Sequence, residues 1–166
     1  MSVEPDAPDA PERHPMPSRT RLPPAVRSRI TSHLTAAATF GRFELQVCKE
    51  CGTTQYPPRE ACHQCLSVAL EWRLQSGDGE LLSDTTLFHS HHEFFRERLP
   101  WRIGIVELDC GAIVIAHVCG DVQSAPSRVR VEARLDKAGQ AALVAFPQGT
   151  MVAEDRQLRE IGCAQS

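Results

Sequence analysis

Period-two patterning dominates the second half of the chain. Leu70, Trp72 and Leu74 alternate with Glu71 and Arg73, and Val129, Val131, Ala133 and Leu135 alternate with Arg130, Glu132 and Arg134. This is the signature of strands with one buried face. Between them lie three more strand-like runs. Residues 81–88 form one, its alternation interrupted at Ser83-Asp84-Thr85-Thr86; residues 103–108 and 112–118 flank the short loop Asp109-Cys110-Gly111. Residues 141–146 follow the turn Asp136-Lys137-Ala138-Gly139, and Ser76-Gly77-Asp78-Gly79 separates the first two runs. Five or six short strands with no long helix between them predict a mainly β chain, with a small antiparallel barrel over residues 69–148.

The first half reads differently. Val26, Ile30, Leu34 and Ala37 or Ala38 recur at helical spacing, with Pro24 suited to a first turn and Gly41 to a stop, so residues 24–41 predict one amphipathic helix. Residues 1–23 hold six of the twelve prolines and almost no large apolar side chain. Such a segment cannot bury enough surface to offset chain entropy and is expected to be a disordered extension. Residues 149–166 form a tail in which Met151, Leu158 and Ile161 suggest a short helix.

Composition narrows the function classes. Aromatics are 5 % of the chain, so the core is expected to be aliphatic, and the net charge of −3 argues against a general binder of nucleic acid or anionic membrane. The longest purely apolar run is residues 141–146, far short of the roughly 20 residues a spanning helix needs. The acidic, Pro-rich start does not read as a signal peptide, so the expected compartment is the cytoplasm. There, the seven cysteines should be reduced thiols or metal ligands.

Four of them carry the strongest chemical signal. Cys48-Lys49-Glu50-Cys51 and Cys62-His63-Gln64-Cys65 are two C-x-x-C pairs ten residues apart, within a segment (residues 42–68) expected to be a zinc ribbon. Two such knuckles supply the four tetrahedral thiolates that a structural Zn²⁺ prefers, one ion per chain; iron uses the same four ligands. A site closed by four protein ligands has no open position at which to activate water. Gly52 after the first knuckle suits the left-handed turn such knuckles use, whereas the second has Leu66 there. Cys110, Cys119 and Cys163 read as small buried or unpaired thiols.

A second concentration of chemistry lies between strands. Residues 88–101 read FHSHHEFFRERLPW. His89, His91, His92 and Glu93 match no metalloprotease spacing and have no nucleophile near them in sequence, so no catalytic residue is assigned. Phe94, Phe95 and Trp101 either pack on the barrel or form a ligand or partner surface, with Arg96, Arg98 and Arg102 available to phosphates.

A helix, a four-cysteine ribbon containing CGTTQYPPR, the linking phrase LEW and a barrel containing IGIVELD resemble one family over about residues 38–148. It is the family of rubredoxin-like zinc-ribbon plus OB-fold proteins associated with acyl-CoA metabolism. The resemblance implies an OB-fold barrel, Cys48, Cys51, Cys62 and Cys65 as zinc ligands, and a non-catalytic accessory role. The implied partner is a thiolase-like protein, which such a subunit stabilises or helps to hold a CoA thioester. The alternative is a zinc-ribbon/OB-fold protein that binds single-stranded nucleic acid; against it stand the negative charge and the lack of an aromatic in residues 103–118. A third reading, an enzyme using His89, His91 or His92, would show acyl-CoA turnover by the isolated chain.

Overall fold

The computed structural model describes residues 22–25, 28–149 and 155–162. The expected disordered extension therefore falls almost wholly outside the described residues, as do Val26, Met151 and Cys163. The N-terminal helix α1 covers Ser32–Thr39, behind a 3-10 turn at Arg29–Thr31. It is shorter than the stretch expected from residue 24. The Thr31 and Ser32 hydroxyls donate back to the carbonyls of Ser28 and Arg29 (2.6 and 2.7 Å). Side chains that bond locally in this way compete with helical propagation. At its other end Gly41 takes φ +66°, and Gly41 and Arg42 donate to Ala38 and Ala37, closing the helix with a Schellman turn. Leu34, Ala37 and Ala38 are buried, and Thr35 Oγ1 accepts the amide of Ala141. α1 is thus packed on its own fold.

Two β systems follow. The ribbon sheet has three antiparallel strands, β1 (Glu44–Cys48) between β2 (Thr54–Gln55) and β3 (Leu70–Leu74). The second is a closed barrel of β4 (Asp78–Leu87), β5 (Trp101–Leu108), β6 (Ile113–Val118), β7 (Ser127–Leu135) and β8 (Ala141–Pro147), in the order β4-β5-β6-β8-β7. All its pairings are antiparallel except β6 with β8. This is the Greek-key barrel of an OB fold. The interrupted alternation at residues 83–86 is a register shift between Leu81 and Ser83. One extra residue there turns Leu81 inward and leaves Leu82 outside, so β4 runs on as one bent strand.

The ribbon and barrel share a core. Phe43 and Leu45 join Leu81, Val106, Val114, Val129, Val131 and Leu143 in one buried cluster with Leu34 and Ala38 of α1. The join needs Gly77: φ is +77°, and a Cβ there would collide with the carbonyl oxygen of Val131. Inside the barrel a Cβ on Gly104 would run into Leu81 and Val118. A second cluster covers part of the barrel's outside. Two short helices, α2 (Glu93–Arg96) and α3 (Arg156–Ile161), bring Phe95, Leu158 and Ile161 over Trp101, Val144 and Phe146. Asp155 caps α3 by accepting the Leu158 amide at 2.9 Å and anchors it by accepting that of Gly120 at 2.8 Å.

The uncovered remainder of that outer surface is unusual. Ile105 on β5 faces Ile115 on β6, Ile113 follows on the same side, and Leu82 lies at the β4 bulge beside Ser83, the partner of Ile105. All four are exposed, from 41 % at Ile105 to 62 % at Ile115. Glu107, opposite Ile113, and Glu80, opposite Glu107, make one end of this aliphatic face acidic. Among the described residues no helix is long and apolar enough to cross a membrane.

Candidate metal centre

The four cysteines that the spacing singled out come together. Their sulfurs lie within 4.8 Å of one another, with Cys48 and Cys65 3.5 Å apart and Cys51 and Cys62 3.6 Å apart. Four thiolates at Zn–S distances of about 2.3 Å would form a tetrahedron with edges of about 3.8 Å, so the donor set fits a zinc ion without rearrangement of the chain. Cys48 and Cys62 are buried, and Cys51 and Cys65 face solvent.

The two knuckles have the same backbone design. Gly52 donates to the Cys48 carbonyl and Cys48 to that of Thr53; Leu66 donates to the Cys62 carbonyl and Cys62 to that of Ser67. Both require a left-handed residue at the fifth position, and Leu66 adopts it at φ +63°, next to Gly52 at +75° in its equivalent place. The sequence departure at Leu66 therefore changes strain, not shape.

Local hydrogen bonds split the acidities of the sulfurs. The Thr53 hydroxyl, with its backbone amide, draws the Cys51 thiol down to about 6. At Cys65 the Ser67 amide pulls downward, but the adjacent thiols of Cys51 and Cys48 prevail and push it up to about 12. Crowded sulfurs cannot all ionise together without a cation, so metal binding must displace protons. Cys119, by contrast, is wholly buried and its thiol is pushed far up, mainly by desolvation. It is a core residue, as its isolation in the sequence suggested.

Two buried amides that the spacing did not flag hold the second knuckle. Gln55 and Gln46 are nearly inaccessible, and Gln55 Nε2 donates to Gln46 Oε1 at 3.0 Å. No periodicity marks such residues; Gln55 was visible only as one letter of the phrase CGTTQYPPR.

Of the two readings of the aromatic loop, packing on the barrel describes Phe94 and Trp101, which are 0 and 1 % exposed. Phe95, half-buried, packs edge-on against both, and Trp101 Nε1 donates to His117 Nδ1 at 2.9 Å. Arg98 lies 4.2 Å over the Phe94 ring and donates to the Phe94 carbonyl and to Glu160. Arg102 is held by Asp84 and the Val122 carbonyl. Of the three arginines expected to be available to phosphates, Arg96 alone stays exposed, 3.7 Å from Glu93. The segment is rich in large side chains because it roofs the barrel. Among the described residues, its histidines join no group of metal-ligating side chains.

Comparison with known proteins agrees with both halves of this architecture. Residues 35–71 match the rubredoxin-like zinc ribbon domain of ChsH2, and residues 72–140 match its C-terminal OB-fold domain. The chain belongs to the ChsH2 family. A DUF35 domain-containing scaffold protein of Methanocaldococcus jannaschii is 32 % identical over 72 residues, 43 % of this chain. The match spans half the length of that relative. Among solved structures, one described as an Ltp2-ChsH2(DUF35) aldolase covers 75 % of this chain and 98 % of its own, with a TM-score of 0.62 and 23 % identity, a likeness of fold. A DUF35-family protein of unknown function from Sulfolobus solfataricus covers 70 % of this chain and 84 % of its own at 14 % identity and a TM-score of 0.49.

For a ChsH2-family barrel, the exposed face of Leu82, Ile105, Ile113 and Ile115 is the surface that sequence reading passed over. A signal was present: residues 112–116 are apolar without alternation. An uninterrupted apolar run means a strand covered on both faces. The described residues cover only the inner one here.

Proposed function

We propose that this protein is the non-catalytic accessory subunit of a thiolase-like acyl-CoA complex. A structural Zn²⁺ held by Cys48, Cys51, Cys62 and Cys65 fixes the ribbon, and the aliphatic face of β4-β5-β6 docks the partner. The observation that carries this reading is that face. Four aliphatic side chains stand exposed on adjoining strands of a barrel whose own core is complete. A contiguous apolar patch on a soluble domain commonly marks a protein interface. It is a convex sheet surface, so it suits a protein partner better than an acyl chain, which needs a concave site. The family resemblance supplies the class of partner. The scaffold description of the archaeal relative, and the description of the structural neighbour as an aldolase formed by two named components, support assembly with another chain. Arg96 is the exposed arginine of the loop left to meet a CoA phosphate.

The nucleic-acid alternative fits this face poorly. Single strands bind through stacking aromatics and basic grooves. Here the corresponding strands present isoleucines, with Glu80 and Glu107 at one end to repel phosphates. The test is to mix the chain with a thiolase-like protein encoded beside it and follow acyl-CoA turnover. Turnover should appear in the mixture and stay low in either component alone. Turnover by the isolated chain, or tight single-strand binding that collapses with added salt, would overturn the reading.

A further inference from the structure

The loop joining β2 to the second knuckle, residues 56–61, reads YPPREA. Pro57 and Pro58 have no amide hydrogen to give, so the loop cannot fix itself through its own backbone ladder. Its polar groups are met from the side, by the two buried glutamines. Gln46 Oε1 accepts the Arg59 amide at 2.8 Å as well as Gln55 Nε2. Gln55 Nε2 also donates to the Ala61 carbonyl at 3.4 Å, while Gln55 Oε1 accepts the His63 amide at 3.0 Å and lies 3.2 Å from His63 Nδ1. Both N–H groups and the carbonyl oxygen of the Gln55 amide are therefore engaged. Two of its partners, Ala61 and His63, flank Cys62 in the chain.

We propose that Gln55 is a positioning residue for the metal centre. Braced by Gln46, it clamps the backbone on both sides of Cys62 and sets the second knuckle at the spacing the first requires. This inference rests on reading the four cysteines as a metal site and extends it from the ligands to the groups that orient them. The physical reason is that β1 carries both Cys48 and Gln46, so the glutamine pair links the second knuckle to the strand that ends in the first. An apolar side chain of equal size would fill the space but leave the Ala61 carbonyl and the His63 and Arg59 amides without these partners. Groups that orient ligands in this way typically change metal affinity by about 10–100-fold when removed.

The experiment is a Co²⁺ titration of the metal-free full chain, with the thiolate charge-transfer and d–d absorption as readout, for wild type, Gln55→Leu and Gln55→Glu. The expected result is a Kd for Co²⁺ about 10–100-fold weaker in Gln55→Leu. At saturation its d–d bands should also be weakened or shifted, because Cys62 no longer reaches tetrahedral geometry. Gln55→Glu keeps the acceptor facing the His63 amide but sets a carboxylate oxygen against Gln46 Oε1 and the Ala61 carbonyl, so it should weaken Co²⁺ binding by at least about tenfold as well. If Gln55→Leu does not fold, the Gln55→Glu comparison decides. Variants within twofold of wild type would overturn the inference, as would weaker binding with an unchanged saturated spectrum, which indicates lost stability without lost positioning. A wild-type chain that shows no thiolate-to-cobalt absorption removes the metal reading itself, a failure distinct from an inactive Gln55.

Discussion

At the scale of single residues, the second knuckle shows how little a ribbon depends on the ideal residue. Leu66 is held at φ +63° and its side chain is 77 % exposed, so it gives the fold little burial in return. The left-handed conformation costs a non-glycine residue about 1–2 kcal/mol, and a glycine's extra freedom in the unfolded chain takes back about 0.5–1. Leu66→Gly should therefore stabilise the metal-bound ribbon slightly and tighten Zn²⁺ binding by about two- to fivefold. Competition with a chromophoric chelator measures this, and weaker binding would show that Leu66 has a contact beyond the turn. Asp84 gives a pH prediction. The Arg102 guanidinium, then the Ala125 amide, hold its carboxyl below the usual range. A carboxyl lowered in the folded state stabilises fully above its unfolded pKa of about 3.9, and that contribution is lost as pH falls through the lower folded value. Asp84→Asn should cost about 1–2 kcal/mol at pH 7 through the lost charged hydrogen bond, and the gap to wild type should shrink below about pH 4. A gap that stays constant in acid denaturation curves would assign the loss to packing instead. The cysteines were legible at this scale because metal ligation imposes spacing on sequence. Phe94, Trp101 and the glutamines were not, because whether an aromatic is surface or core, or an amide exposed or buried, is decided by distant parts of the chain.

At the scale of elements, most of the barrel could be read from alternation and from apolar runs bounded by turns. The last four strands lie within one or two residues of their predicted runs: β7 alternates, whereas β6 and β8 are continuous apolar runs, β8 because it is buried on both faces. The exceptions have physical causes. β4 hid its continuity because a bulge shifts its phase by one residue. α1 was over-extended because hydroxyl groups hold its first turn in 3-10 form. α3 is the short helix suggested for the tail, and it makes the second cluster possible. It is pinned by Asp155 and by Gln157, whose Nε2 donates to the carbonyls of Arg102 and Val118. Asp155→Ala should cost about 1–2 kcal/mol through the lost cap. Hydrogen exchange should accelerate over residues 156–161, and the emission of Trp101 should shift to the red as its cover loosens. Unchanged exchange would mean that Gln157 alone secures the helix.

At the scale of the whole molecule, metal site and barrel are coupled through Phe43 and Leu45, which extend the ribbon into the barrel core. Metal removal by a strong chelator, or Cys51→Ser, should therefore unfold the ribbon and also lower the melting temperature of a barrel that keeps most of its strand signal. Thermal melts by circular dichroism, with and without one equivalent of Zn²⁺, check this; identical melts would show the two units to be independent. The most direct measurement of the central claim is light scattering after size-exclusion chromatography of this chain mixed with a thiolase-like protein encoded beside it, the proposed partner. The wild-type chain should elute in a stable hetero-complex, and Ile105→Glu with Ile115→Glu should elute separately from the partner while keeping one metal ion per chain. Separate elution of the wild-type chain, or a double variant that assembles like wild type, would contradict docking through the barrel's isoleucine face.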